Sequence, residues 1–236
     1  MVENKIKFFE DTHLYINQEN NHRYLSVSQV IELFHEKFDT DKMSKLIAKK
    51  HGISQEEVLK EWDATRIYAC ERGTAFHAAM ENAIKFGEVV DEYKKVIENF
   101  LLVSSKVVKN IEKIFSEILL YNDEFEVAGT SDILWEHTDN TFTIGDFKTN
   151  KRFRFSSDYG KWFNHPISHL SDCEFNKYTL QLSLYAFMYE ILTGKKCRGL
   201  LILWLDQNTG KWQPIHCNYL KHEVIMMLKA YQKIKK

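Results

Sequence analysis

Proline and glycine are scarce in this 236-residue chain, two and nine respectively, which excludes collagen-like, low-complexity and Pro-rich linker architectures. Cysteine is scarce too. Cys70, Cys173, Cys197 and Cys217 form no CxxC pair, so neither a zinc ribbon nor a small disulfide scaffold is supported. Long apolar runs are missing: the longest, 199–205, falls far short of the roughly 18 residues that span a bilayer. The first residues carry charges of both signs with no apolar stretch behind them, so no secretory signal is expected. No glycine-rich P-loop ending in Gly-Lys-Ser/Thr occurs, and with it goes any helicase motor. An excess of one charge sign is lacking as well. The 32 Lys and Arg against 33 Asp and Glu leave a net charge of −1, and composition alone gives no reason to expect a nucleic-acid partner. What remains is an ordinary globular composition, 44% hydrophobic and 28% charged, expected to be soluble and away from membranes.

Along the chain, apolar residues from Ile6 to Leu25 with Asn-rich turns between them predict a short β-hairpin or meander. Ser28 and Asp41 are candidate N-caps for two helices, and Ser54 with Glu57 forms a capping-box pattern opening a longer helical stretch. Gly73 is expected to interrupt that stretch and Gly87 to end it, with a further helix over about 93–109. The period then changes. Residues 114–121, 125–135, 141–148 and 200–205 are rich in β-formers, while 178–192 and 219–234 are helical. The expected fold is α/β, a central mixed β-sheet with helices on its faces, in one domain over 1–236: an N-terminal hairpin and helices over 1–60, then a core over 61–236.

The hairpin with its turn at Thr138-Asp139-Asn140 carries the most chemistry. Centred on Asp139, it puts Asp132 opposite Asp146 and Thr130 opposite Lys148, and directly opposed Cβ atoms lie about 4.5 to 5.5 Å apart. Asp146 and Lys148 share a face. Two facing carboxylates repel unless a proton or cation sits between them, and a hard divalent ion such as Mg²⁺ suits oxygen ligands. Read as residues alone, the triple is either a set of solvated charges near a turn or a metal site. The charges interrupt apolar strands rather than cap them, and buried charge is costly unless paired or metal-bound.

Four segments follow in order: Gly73-x-x-x-His77, Ala128-Gly129-Thr130-Ser131-Asp132, Gly145-Asp146-Phe147-Lys148-Thr149 and Gln181-x-x-x-Tyr185. This succession resembles the RecB-type branch of the PD-(D/E)xK nuclease superfamily, notably its stand-alone phage and bacterial exonucleases. It spans 73–205, and the segment 166–173 resembles a phage-encoded subgroup. The resemblance implies a restriction-endonuclease-like core whose hairpin carries the metal site. It implies that His77, Asp132, Asp146 and the main-chain carbonyl of Phe147 are metal ligands and that Lys148 is the catalytic lysine. Gln181 and Tyr185, at i and i+4 on one helix face, match a pair that orients the DNA backbone or the lysine, although Tyr185 also reads as a core residue. Glu81, one turn after His77, reads equally as a site residue or a solvated helix residue; Glu117 matches an acidic position often seen in this branch and is left out of the expected site because a strand-face Glu is common. Mg²⁺ or Mn²⁺ is the expected cofactor, an imidazole ligand favouring Mn²⁺ relative to an all-oxygen site. An iron–sulfur cluster, found in some members, is not expected, because the cysteines are not clustered.

Residues 147–169 hold five basic residues (Lys148, Lys151, Arg152, Arg154, Lys161), one acid and six aromatics. Cations interleaved with rings suit a single-stranded nucleic acid, and Lys151, Arg152 and Arg154 are the expected DNA contacts; a long ordered loop with packed rings and solvated charges is the other reading. Arg66 and Arg72 are further candidates. The activity expected is metal-dependent DNA exonuclease cleavage leaving 5′-phosphates, in recombination, repair or phage DNA processing, in the cytoplasm of a bacterium or an infected host. Its partner would be a single-strand-annealing or single-strand-binding protein. A structure-specific endonuclease and an inactive DNA-binding module are the alternatives, and an arch over the channel would favour the exonuclease.

Overall fold

In the computed structural model, which describes residues 5–235, the β-forming segments join in one mixed sheet. Three short strands open it, β1 (Ile6–Phe9), β2 (Leu14–Asn17) and β3 (Arg23–Ser26), as the expected meander. Ser26, rather than Ser28, caps α1 (Val27–Glu32), because Gln29 lies three residues on and closes a capping box with it. Asp39, rather than Asp41, caps α2 (Thr40–His51) by accepting the Lys42 N–H at 2.9 Å. The Ser54–Glu57 box starts α3 (Gln55–Phe86) as expected, and Gly87 ends it with a φ of 70°. Gly73 does not break this helix, since one glycine costs only about 1 kcal/mol and the chain around it is otherwise helix-forming.

After α4 (Lys94–Val107) come β4 (Ile111–Asn122), β5 (Val127–His137) and β6 (Thr141–Lys148), then α5 (Glu174–Thr193), β7 (Lys196–Asp206), β8 (Lys211–Cys217) and α6 (Lys221–Lys235). The strand order is β1-β2-β3-β5-β6-β7-β8, with β4 on the other edge of β5. The β3–β5 and β6–β7 pairs are parallel and the rest antiparallel. β8 is not legible in the apolar pattern because Pro214 interrupts it; proline is tolerated there because β8 is an edge strand.

The sheet has an apolar core on each face, which fixes which way each strand residue points. Leu134, Phe142, Ile144 and Ile202 pack with α1, α5 and α6. Ile133, Trp135, Phe147 and Leu203 pack with Phe76 and Met80 of α3 and Ile97 and Phe100 of α4. α5 is apolar nearly all round because it lies between the sheet and the outer helices. The two helix layers thereby set α3 and α5 against opposite faces of the β5–β6 hairpin. Among the described residues no helix is long and apolar enough to cross a membrane.

Within the β5–β6 hairpin, this packing closes directly on Gly145. A Cβ there would lie 2.8 Å from both Ile133 Cγ2 and the Trp135 ring. Gly145→Ala is therefore expected to destabilise the fold by about 1–3 kcal/mol, read as a lower urea midpoint at unchanged slope; an unchanged midpoint would show that the Trp135 ring moves freely.

Candidate metal centre

The register of the β5–β6 hairpin is the one its turn dictates. Ile133 pairs with Gly145, Leu134 with Ile144 and Glu136 with Phe142. The next rung, Asp132 with Asp146, does not form. β6 runs on as the parallel partner of β7, Lys148 opposite Trp204, while β5 turns toward β3, Ala128 beside Ser26. The strands part at the acidic pair, and Asp132 Oδ2 accepts the Phe147 N–H at 2.6 Å across the fork. The expected Thr130–Lys148 opposition is therefore corrected: Thr130 lies past the fork and meets the Tyr15 hydroxyl at 3.2 Å.

Three side chains from three elements converge on this point. His77 of α3 places Nδ1 3.3 Å from Asp132 Oδ1. Glu117 of β4 stands opposite Asp132, between the pairs Ser116–Ile133 and Ile118–Ser131. One ligand atom from each of His77, Glu117 and Asp132 lies within 4.8 Å of the others, and the group can bind a metal ion. Glu117 has a φ of 50° in mid-strand, a left-handed conformation that costs a non-glycine residue of order 1–3 kcal/mol and clusters at functional sites. Its side of the strand also opens on a groove of about 920 Å³ along the free edge of β4.

Asp146, named with His77 and Asp132 as a ligand, lies on the other arm of the fork. It is buried, and its Oδ2 is ion-paired with the Lys148 ammonium. Phe147 gives its N–H to Asp132 and its ring to the core under α3 and α4. The Lys148 ammonium sits 4.5 Å from the centre of the Tyr178 ring. Gln181 Nε2 donates to the Tyr185 hydroxyl at 3.1 Å. Tyr185 is also a core residue, and its ring lies so near Gly129 that a Cβ there would be 2.7 Å from Cε1. Glu81 pairs with Lys85 one turn along α3.

The charges are arranged unevenly. Burial works against the His77 imidazolium, but Asp132 and Asp146 outweigh it and push its pKa up to about 9. Burial raises Asp132, yet His77 and Lys148 hold it below the usual carboxylate range. Burial and the repulsion of Asp132 raise Asp146, although Lys148 pulls the other way. Burial opposes the Lys148 ammonium too, and Asp146 and Asp132 hold it above the ordinary lysine value. Glu117 has no ion pair among the described residues: burial, then Asp132, push it up to about 8 against the pull of His77. Two carboxylates and an imidazole with ligand atoms within 4.8 Å of one another, and one acid left over, fit a divalent cation.

The basic loop is largely neutralised. Arg154 Nε donates to Glu174 and its Nη1 to Asp158, Lys161 pairs with Glu36 at 2.8 Å, and Lys148 is taken by Asp146. Charge counting could not see Glu36 and Glu174, which come from other parts of the chain; Arg154, an expected DNA contact, is ion-paired with Glu174 and Asp158. Lys151 and Arg152 are exposed and without an acidic partner among the described residues. Arg66 pairs with Asp63, and Arg72 donates to the Thr149 carbonyl at 3.3 Å. Glu117 is the site residue left out of the expected set; its signal was its match to an acidic position of the branch the motifs resemble, one strand before the hairpin.

No family model and no curated protein matches the chain. Among solved structures it is similar to a protein named "Putative exonuclease" from Eubacterium rectale, with 14% identity over 92% of this chain and 81% of that one and a TM-score of 0.42. It is also similar to the protein SSO0001, with 12% identity over 89% of this chain and 84% of that one and a TM-score of 0.37.

The pKa directions make a test. An acid raised in the folded chain, like Glu117, binds a proton there that the unfolded chain has released, so metal-free stability falls as pH rises from about 4.5 to about 8. His77 acts in the same direction from about 6.5 to about 9. In EDTA the melting temperature should fall across this range, and Glu117→Gln should flatten its lower half. A melting temperature that does not fall, or a Gln variant that tracks wild type, would contradict the placement of Glu117.

Proposed function

We propose that this chain is a divalent-metal-dependent deoxyribonuclease, an exonuclease of the RecB-type branch of the PD-(D/E)xK superfamily that hydrolyses phosphodiester bonds to leave 5′-phosphates. The observation that carries the reading is the fork. His77, Glu117 and Asp132 meet on one side of it, and Asp146 with Lys148 stands on the other. His77, Glu117, Asp132 and Asp146, with the main-chain carbonyl of Phe147, would hold the ion, Mg²⁺ or Mn²⁺. When bound, a divalent ion supplies Lewis-acid activation of water and charge neutralisation at the phosphate.

The remaining chemistry belongs to the chain. Lys148 keeps its proton because Asp146 faces it, so it offers a fixed positive charge to the oxygens of a phosphodiester as they gain charge. The face of Tyr178 holds that ammonium in place at little cost in mobility. Gln181 and Tyr185 fix each other's polar ends at the same helix face, which suits them to orient a phosphate or the lysine. A module that only bound DNA would have no use for a buried Asp–Lys pair, whose desolvation is costly. The wider setting we infer is DNA recombination, repair or phage DNA processing in the cytoplasm, beside a single-strand-annealing or single-strand-binding protein.

DNA labelled at either end, incubated with Mg²⁺, Mn²⁺ or EDTA, tests the reading. Label should be lost only with metal, and Lys148→Ala and Asp132→Asn should each slow the loss by about 10²-fold or more while retaining the wild-type circular dichroism spectrum. Cleavage that survives EDTA, or that both variants perform at the wild-type rate, would refute it.

A further inference from the structure

α3 is two helices in one. From Phe76 onward it packs on the sheet, but over residues 59–71 nearly every side chain is exposed, whichever way it faces. α2 packs on the first turns of α3 and on no other element to a comparable extent, stitched there by Gln55, which donates to Asp41 and Ser44. A helix exposed on all sides is a bridge across open space rather than a layer of the core.

The bridge is pinned at both ends to the irregular segment 149–173 that follows β6. At the end nearer the metal centre, Arg72 donates to the Thr149 carbonyl. At the far end, the Trp62 ring meets that of Phe38 with centroids 5.9 Å apart. The chain beside Phe38 is tied to the segment through Glu36–Lys161 at 2.8 Å and through the Asn164 N–H, which donates to Phe34 O at 2.7 Å. Bridge, pins and segment make a closed circuit. From Trp62 to Arg72 the bridge is about 15 Å long before side chains are counted, which suits one strand better than a duplex.

Both sides of the circuit carry exposed rings: Tyr68 at 62% on the bridge, and Phe155, Tyr159 and Trp162 at 61%, 82% and 57% on the segment. Lys151 and Arg152 supply cations at the end that begins directly after Lys148. Exposed rings offer stacking faces to unpaired bases, and cations offer partners to phosphates. A segment this long without regular structure is usually functional when ordered.

We propose that the α3 bridge and segment 149–164 form an arch through which a single DNA strand threads by a free end on its way to the metal centre. The inference rests on the proposed nuclease reading for the identity of the strand, and not for the arch itself.

Binding in EDTA separates the two. A fluorescent single-stranded oligonucleotide and its ligated circle of the same sequence are titrated with the full-length protein and followed by anisotropy. The circle should bind about 10-fold more weakly or worse. The double variant Tyr68→Ala, Tyr159→Ala should weaken binding of the linear strand about five-fold or more with an unchanged melting curve. Equal binding of circle and linear strand, no binding of either, or a double variant with wild-type affinity would overturn the arch. Companion reactions with Mn²⁺ distinguish failure of the arch from failure of the nuclease reading. Cleavage of linear DNA together with equal binding of the circle removes the arch and leaves the nuclease. Discrimination against the circle without any cleavage leaves the arch and removes the nuclease.

Discussion

One hydrogen bond replaces a rung of the β-ladder, and the site depends on it. Where Asp132 and Asp146 would otherwise have faced each other, the Phe147 amide turns to the Asp132 carboxylate and the strands separate. A buried amide must find an acceptor, and here the acceptor is a side chain rather than the neighbouring backbone. Past the separation that edge of β5 takes β3, so the same event that opens the hairpin also joins the N-terminal strands to the rest of the sheet, while β4 and β7 run beside β5 and β6 on both sides of the fork. Small residues make room for it. Gly145 lets Trp135 and Ile133 close over the last intact rung, and Gly129 lets the Tyr185 ring approach β5.

The fork sorts the charges into two groups. On one arm Lys148 neutralises Asp146; on the other His77 answers Asp132 and leaves Glu117 with no ion pair among the described residues. An acid held near the pKa of an ordinary base, in a left-handed conformation, is a local conflict that folding alone does not call for. Such conflicts in an otherwise consistent fold mark functional sites, and a divalent cation would resolve this one by supplying the missing positive charge.

Much of this was legible in the residues. The turn at Asp139 sets the register of the hairpin, and the capping box at Ser54 and the glycine at 87 set the ends of α3, because each is a local rule with one strong solution. What was not legible depends on distant partners. The pairing pattern extrapolated one rung too far, since nothing in the β5 and β6 segments says that an amide will prefer a side chain. Glu117 looks like any acid on a strand until β4 is placed beside β5. The cations of the loop after β6 looked free because Glu36 and Glu174 are far from Lys161 and Arg154 in the chain. Ser26 against Ser28 was a choice between two local caps, decided by the glutamine at position 29.

If the fork holds a divalent cation between His77, Glu117 and Asp132, anomalous diffraction from crystals soaked in Mn²⁺ will show it. One strong anomalous peak is expected within coordination distance of all three side chains, with Asp146 beside it. A well-ordered fork with no peak, or a peak bound only elsewhere on the molecule, would contradict this placement of the metal.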